Sequence, residues 1–540
     1  MTIQTGQADY ILSGNAVFTG LADRPSPASI AVVGNKIAAV GTHEEIRRWI
    51  GPATKQIDFG DRLIMPGFHD FHVHVMLGCL QEDTVQLLAS SSAEQAAKMA
   101  ADFAETRPGD PWVLGFGWYH SYWGNQQLPH RSILDQFIPD RPVFLLHAAG
   151  HLAWVNSKAL ELLNITRDTV DPPYGEIARD EDGEPTGILF ENAIALAKQA
   201  FLLPEERRKR ILETFLRSTA EMGITSLSDM LPLPAIELGD LESYDAFEKE
   251  GRLTTRIHFL IGLTGELERA RRMRDAYRSE KVRFSGLKQF LDGIVTAHTA
   301  LLVEPYADRP AYRGEAPFSR EQLQNWVNEA DREGFRIRFH AVGDGAVRLA
   351  LDLFEEAGER NGNRDARHAI EHIEVIHPED VGRFSQLGVL ASIQPEHMGL
   401  VNRQHYLTRI GDERYGCTFP IQTLKQAGAN LVFGTDYPIV SLNPMLEIYR
   451  AVTRTGGDGQ PWNEAEQIPL ADALRAYTAG GAYGVFREQE LGTLEAGKLA
   501  DIIVLDRNLF AVSEDEIAQA GVVLTMMDGQ VVFEKTGETR

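Results

Sequence analysis

His72 and His74 stand two residues apart in the segment Met65-Pro66-Gly67-Phe68-His69-Asp70-Phe71-His72-Val73-His74-Val75. In an extended strand, residues i and i+2 point to the same side. Both imidazoles can therefore serve one metal ion that Val73 cannot reach. His69 falls on the opposite face by the same alternation and reads as structural. Pro66-Gly67 reads as a turn closing one unit before this strand begins. A metal that activates water at such a pair is the chemistry of a hydrolase, and it calls for further ligands on later strand ends.

Candidate ligands follow in order. Arg336-Ile337-Arg338-Phe339 ends on His340, Ala369-Ile370-Glu371 leads to His372, and Leu431-Val432-Phe433-Gly434-Thr435 leads to Asp436. Gly286-Leu287 leads to Lys288, with Asp292 four residues on. Imidazoles and carboxylates suit zinc and similar divalent ions. An aspartate at such a centre can take a proton from water. The lysine is the odd member, because an ammonium repels cations. Carbamylated by carbon dioxide, it becomes an anionic carboxylate on a long stem that can bridge two ions.

Each residue also has a plainer reading. The histidines could be packed side chains. Asp436 could cap the helix after Pro438. Lys288 could stay an ammonium paired with Asp292 or Asp436, leaving one metal instead of two. Glu191 could open a helix at the surface. Trp112, Trp118, Tyr119, Tyr122 and Trp123 could be core or the apolar wall of a pocket.

These residues need elements to place them. Residues 9–62 read as β structure, with a Gly34-Asn35 hairpin between apolar runs. Residues 500–505, 522–526 and 530–533 have the same texture around Asp528-Gly529. The middle alternates instead. Amphipathic helices at 204–221 and 319–333 are interleaved with short apolar strands at 224–228, 256–261, 287–291, 336–339, 368–373, 389–393 and 431–433. That rhythm predicts an α/β fold with a parallel sheet closed into a (β/α)8 TIM-like barrel, whose chemistry sits at the strand C-termini. The expected division is a small β-sandwich domain built from both termini (1–64 and 488–540) and a barrel over 65–487. An inserted α+β segment at about 89–191 is expected to cover the barrel mouth.

The 540 residues allow a large core. A formal net charge of -24 argues against a nucleic-acid or anionic-membrane surface. The two cysteines, Cys79 and Cys417, exclude a disulfide framework and fit a cytoplasmic setting. No signal peptide or bilayer-spanning run is evident. The expected partners are a small-molecule substrate and, at most, a second copy of the chain as a homodimer.

The chain resembles the amidohydrolase superfamily, and within it amidohydrolase family 3, the branch that includes N-substituted formamide deformylases. The resemblance covers nearly the whole chain. It is carried by Pro66-Gly67-Phe68-His69-Asp70-Phe71-His72-Val73-His74, by Gly150-His151 with Trp154-Val155-Asn156-Ser157-Lys158-Ala159-Leu160, and by Pro185-Thr186-Gly187-Ile188-Leu189-Phe190-Glu191. Lys288-Gln289-Phe290-Leu291-Asp292-Gly293, Ile370-Glu371-His372, Ser392-Ile393-Gln394-Pro395-Glu396-His397 and Phe433-Gly434-Thr435-Asp436-Tyr437-Pro438 continue it. Leu494-Glu495-Ala496-Gly497-Lys498-Leu499-Ala500-Asp501 resembles the family's return into its β-domain.

The resemblance implies that His72, His74, Lys288, His340, His372 and Asp436 are metal ligands, with Lys288 carbamylated and Asp436 also the general base. It implies one or two Zn2+ ions, with Mn2+ or Co2+ as substitutes. His151, Trp118, Tyr119, Glu191, Asp292 and His397 are expected to meet the substrate. The chain departs from the family pattern at Tyr119, Ala149 and Ile294, all in segments expected to face it. The implied activity is metal-dependent hydrolysis of a non-peptide C–N bond in a linear amide or N-substituted formamide. Rival readings are an esterase or lactonase, a heterocycle aminohydrolase, and a non-catalytic scaffold. Such aminohydrolases usually carry a glutamate three residues after the fifth-strand histidine, whereas Ala341-Val342-Gly343 follows His340.

Overall fold

Short runs rich in Ile, Val, Leu and Phe recur through the middle of the chain, and most form strands buried on both faces, as parallel strands between helices require. The computed structural model describes residues 6–124, 127–148, 150, 152–173, 175–233 and 236–535. Eight of its strands are Phe68–Val73 (β1), Ile224–Met230 (β2), Arg256–Gly262 (β3), Val282–Phe290 (β4), Ile337–Ala341 (β5), Ala369–His372 (β6), Leu390–Ile393 (β7) and Asn430–Phe433 (β8). They pair in chain order, every neighbour parallel. The seam between β8 and β1 is bridged where Asp436 N–H donates to His72 O (2.7 Å) and His74 N–H to Tyr437 O (2.8 Å). The parallel sheet expected from the sequence is thus present, rolled into a barrel.

The crossover helices carry ordinary start signals. Ser319 caps Arg320–Arg332 by accepting from Gln322 N–H at 3.2 Å. That helix buries Leu323, Val327 and Ala330 on one face.

Strands from both termini form one mixed eight-stranded sheet. Tyr10–Val17, Ser26–Val33, Lys36–Gly41, Lys55–Asp58 and Leu63–Pro66 come from the start, and Ile502–Leu505, Val522–Met527 and Gln530–Glu534 from the end. The join is antiparallel, with Ile502 opposite Pro66. Both expected hairpins are present. Gly34 (φ 58°), Asp528 (φ 55°) and Gly529 (φ 74°) adopt the left-handed backbone that their two-residue turns need. Tyr10–Val17 forms one strand whose pairing with the next slips at an irregularity between Gly14 and Val17. Arg256 at the start of β3 is wholly buried and pairs with Asp501 (3.0 Å) and Asp528 (3.2 Å), fastening the barrel to this sheet.

The chain divides into two compact units. The first holds the barrel and the terminal sheet, residues 1–74, 216–230 and 244–540. The second holds residues 75–215 and 231–243, and the segment expected as an insertion, 89–191, lies within it. Its sheet runs Gly175–Arg179, Pro185–Glu191, Leu152–Val155, Val143–His147, Val113–Trp118, Val85–Gln86. Its core gathers Trp118, Trp123 and Trp154 with Ala96, Ala97 and Ala100 of the helix Ala93–Thr106. No helix among the described residues is long and apolar enough to cross a membrane.

Candidate metal centre

His72 lies near the end of β1 and His74 follows it. Asp436 lies just past β8, the strand laid against β1. This juxtaposition brings Asp436 Oδ1 to 3.3 Å from His72 Nε2 and 3.2 Å from His74 Nε2. Oδ1 nevertheless makes no hydrogen bond among the described residues. Donor atoms that share a four-coordinate ion at roughly 2.0–2.2 Å stand about 3.4 Å apart. Donor atoms of His72, His372 and Asp436 all lie within 4.8 Å of one another. Nδ1 of His372 is also buried without a partner among the described residues. Three mutually close donors of imidazole and carboxylate type, two of them unsatisfied, fit a divalent cation.

Each ligand is held from behind. His72 Nδ1 lies 2.8 Å from Glu371 Oε2, so Nδ1–H faces the carboxylate and Nε2 is left to face the cluster. Arg338 Nε donates to Glu371 Oε1 at 2.5 Å, and its Nη2 donates to Phe71 O at 2.6 Å. Its guanidinium also lies 3.7 Å from the Phe71 ring centroid. His74 Nδ1 lies 2.6 Å from Met230 O at the end of β2. Asp70 accepts from Thr435 N–H (2.9 Å), Thr435 Oγ1 (2.7 Å) and Tyr477 Oη (3.1 Å), tying β1 to the segment that carries Asp436.

Charge follows from burial and neighbours. Burial pushes His72 down to about 4 and His340 to about 3, and it lowers His372 well below its ordinary value. These imidazoles are neutral at working pH, as ligation requires. Burial alone would raise Asp436 and Glu371. The histidines around Asp436 and the Arg338 guanidinium beside Glu371 overcome it and hold both well below the usual carboxylate range. Backbone conformation is also unusual here, with positive φ at His372 (76°), Ile373 (51°) and Asp436 (61°). Such conformations cluster where a site over-determines the backbone.

Lys288, on β4, is buried, and its Nζ has no hydrogen-bond partner among the described residues. Burial brings its amine down to about 8. The His340 ring packs against that of His372 with centroids 4.4 Å apart, and its Nε2 lies 3.2 Å from Gly293 O. All six residues expected as ligands lie in the barrel unit at or near strand C-termini, with His72, His372 and Asp436 the tightest group.

The residues expected to meet substrate fare differently. Asp292 has a saturated carboxylate that accepts backbone N–H groups from Leu301 (2.9 Å), Val342 (3.0 Å) and Gly343 (2.9 Å). It organises the loops after β4 and β5. Trp118 is 0% exposed, donates Nε1–H to Leu145 O at 2.8 Å and packs on Trp123 and Trp154. These contacts place Trp118 in the core of the second unit. Tyr119 is half-buried against Tyr122, and Glu191 ends a strand of that unit with φ 47°. His151 and Ala149 lie outside the described residues. His397 does reach the cluster, with Nε2 3.4 Å from Asp436 Oδ2 and Nδ1 3.1 Å from Glu374 Oε1. Burial would lower it, but Asp436 and Glu374 push it up to about 10.

Reading the residues alone missed Glu371, Arg338 and Glu374. The only available signal was position, since Glu371 and Glu374 flank His372 and Arg338 lies two residues before His340.

Known proteins resemble this chain along nearly its whole length. The family model described as the amidohydrolase family matches residues 55–533. Protein LONG AFTER FAR-RED 3 of Arabidopsis thaliana is 31% identical over 97% of this chain and 92% of its own length. An N-substituted formamide deformylase of Arthrobacter pascens is 26% identical over 99% of this chain and all (100%) of its own. Among solved structures, an uncharacterized metal-dependent hydrolase from Pyrococcus horikoshii superposes with a TM-score of 0.77 at 26% identity, over 94% of this chain and 99% of that one.

Proposed function

The chain belongs to the amidohydrolase family, and we propose that it is a metal-dependent hydrolase cleaving a non-peptide carbon–nitrogen bond of a small molecule, either a linear amide or an N-substituted formamide. The observation that carries this reading is Asp436 Oδ1, unsatisfied and 3.2–3.3 Å from two imidazole nitrogens that are oriented from behind. The similarity to the deformylase over both full lengths supports the substrate class.

His72, His74, His372 and Asp436 would hold the ion, and zinc is the natural candidate for such donors, with manganese or cobalt as substitutes. When bound, a divalent ion there supplies Lewis acidity, lowering the pKa of water to about 7 and polarising the scissile carbonyl. Asp436 takes the proton of the attacking water and returns it to the leaving nitrogen. His397 engages the second oxygen of that carboxylate. Lys288, buried without a hydrogen-bond partner among the described residues, suits carbamylation, and with His340 beside His372 this supports a second ion.

The test is a substrate panel on protein stripped of metal and reloaded with zinc, manganese or cobalt. N-alkylformamides and linear acylamides should be hydrolysed only by loaded protein. A preference for esters or lactones, deamination of an aminoheterocycle, or full turnover after stripping would sink the reading.

A further inference from the structure

Glu374 is a buried carboxylate for which the chemistry above has no task. It lies two residues beyond β6. Its Oε1 lies 3.1 Å from His397 Nδ1, and its Oε2 accepts from Tyr406 Oη at 3.0 Å. Tyr406, on the helix Arg403–Ile410, is wholly buried in an apolar cluster with Met398, Phe419 and Trp462. Phe419 N–H donates to the Glu374 carbonyl at 3.0 Å. Side chain and backbone of Glu374 are thus both held.

Nδ1 of His397 faces a Glu374 carboxyl oxygen, an acceptor, and the proton of that contact sits on Nδ1. The far nitrogen, Nε2, has no hydrogen bond among the described residues and faces Asp436 Oδ2 at 3.4 Å. Asp436 is therefore addressed from two sides, with Oδ1 toward His72 and His74 and Oδ2 toward His397. A carboxylate turns about its Cβ–Cγ bond, so holding Oδ2 sets where Oδ1 points. The backbone around His397 is fixed by other groups. Glu447 accepts from Glu396 N–H (2.7 Å), and Arg450 donates to the Glu396 carboxylate (2.8 Å). Glu374 meets His397 at its ring and not at its backbone.

We propose that Glu374, buttressed by Tyr406, is a positioning residue that sets the orientation of the Asp436 carboxylate through the His397 ring. This rests on the metal-centre reading above. A bland packing role would leave metal binding untouched when the acceptor is lost.

The probe is Co2+ titrated into stripped full-length protein, read by its visible d–d bands and by its dissociation constant. Loss of a group that orients a ligand typically weakens metal binding tenfold to a hundredfold. Glu374→Leu should therefore raise the Co2+ dissociation constant about tenfold or more and move the bands. Glu374→Gln keeps an acceptor and should restore both. Glu374→Leu combined with His397→Asn should be no worse than His397→Asn alone, because the two residues act in series. If Glu374→Leu does not fold, Tyr406→Phe carries the test, with a smaller shift in the same direction. Wild-type affinity and spectrum in folded Glu374→Leu, or in Tyr406→Phe, overturn the proposal, as do additive effects in the double variant. A wild type that binds no Co2+ overturns the metal centre itself, and that outcome is distinct from the others.

Discussion

Glu371 stands directly behind His72, its Oε2 2.8 Å from Nδ1, and both side chains are buried. The contact selects the tautomer with the proton on Nδ1 and points Nε2 at Asp436. Glu371→Gln presents either an amide oxygen, which keeps the tautomer at lower strength, or an N–H, which reverses it. Affinity for zinc should fall roughly tenfold to a hundredfold, measured by competition with a chromogenic chelator. Unchanged affinity would show that the carboxylate does not orient the ligand.

The same glutamate predicts a stability effect through Arg338. Their ion pair is wholly buried, and removing one partner of such a pair leaves an uncompensated charge, costing about 3–5 kcal/mol. Arg338→Met should lower the thermal midpoint of the stripped protein accordingly. Arg338→Met with Glu371→Leu should recover much of the loss, because neither charge of the pair is then left without its partner. Equal destabilisation by the single and double variants would refute this account.

These two residues also mark where sequence reasoning stops. The ligand order, the strands that carry it and both terminal hairpins are written in local patterns: apolar runs, turn dipeptides and one His-x-His. Glu371 is not legible that way. Strand alternation sends it and His372 to opposite faces, yet the positive φ of His372 and Ile373 ends the alternation at this point, and both side chains reach His72. Asp292 reads as a site residue from a motif beside a strand end, and its part in holding loops is not visible there. Its three donors come from loops nine to fifty-one positions away, and no spacing rule announces such contacts. Trp118 is a matter of packing, since an aromatic suits a core or a pocket wall equally well until its neighbours are known.

Gly434 separates β8 from Asp436. A Cβ there would lie 2.4 Å from His72 N and 2.9 Å from Asp70 Oδ1. Both are held groups at the barrel seam and cannot retreat cheaply. Gly434→Ala should cost on the order of 1–3 kcal/mol in stability through overpacking and weaken metal binding as well, because it forces apart the two strands whose ligands meet. Thermal unfolding and metal titration measure the two effects. A variant as stable and as metal-avid as the parent would show that the seam is softer than argued.

His69, on the face of β1 away from the cluster, is buried and stacked on His258 with ring centroids 5.5 Å apart. Burial brings it down to about 3. Its folded pKa thus lies below the unfolded value near 6.5, so the unfolded chain binds the proton first. The stability from keeping it neutral is fully present above pH 6.5 and is lost as pH falls toward 3, at about 1.4 kcal/mol per pH unit. In stripped protein, His69→Phe should make the decline of stability between pH 6 and pH 4 shallower by about that slope. An unchanged slope would mean that His69 is protonated in the native state.

Asp436 has two duties that one substitution can separate. Asparagine keeps a carbonyl oxygen at Oδ1, the atom 3.2–3.3 Å from the two imidazole nitrogens, but it cannot accept and return a proton. Asp436→Asn should therefore retain zinc in elemental analysis, with weaker affinity from the lost negative charge. Turnover on the best formamide or amide of the panel should fall by about 10²–10⁴, the range for losing a positioned acid–base group. The two measurements must be made on the same preparation, because lost metal alone would also abolish activity. Metal retained with turnover intact would leave Asp436 a ligand only, and the proton would then have to travel through another group, for which His397, 3.4 Å from Oδ2 and outside the proposed ligand set, is placed.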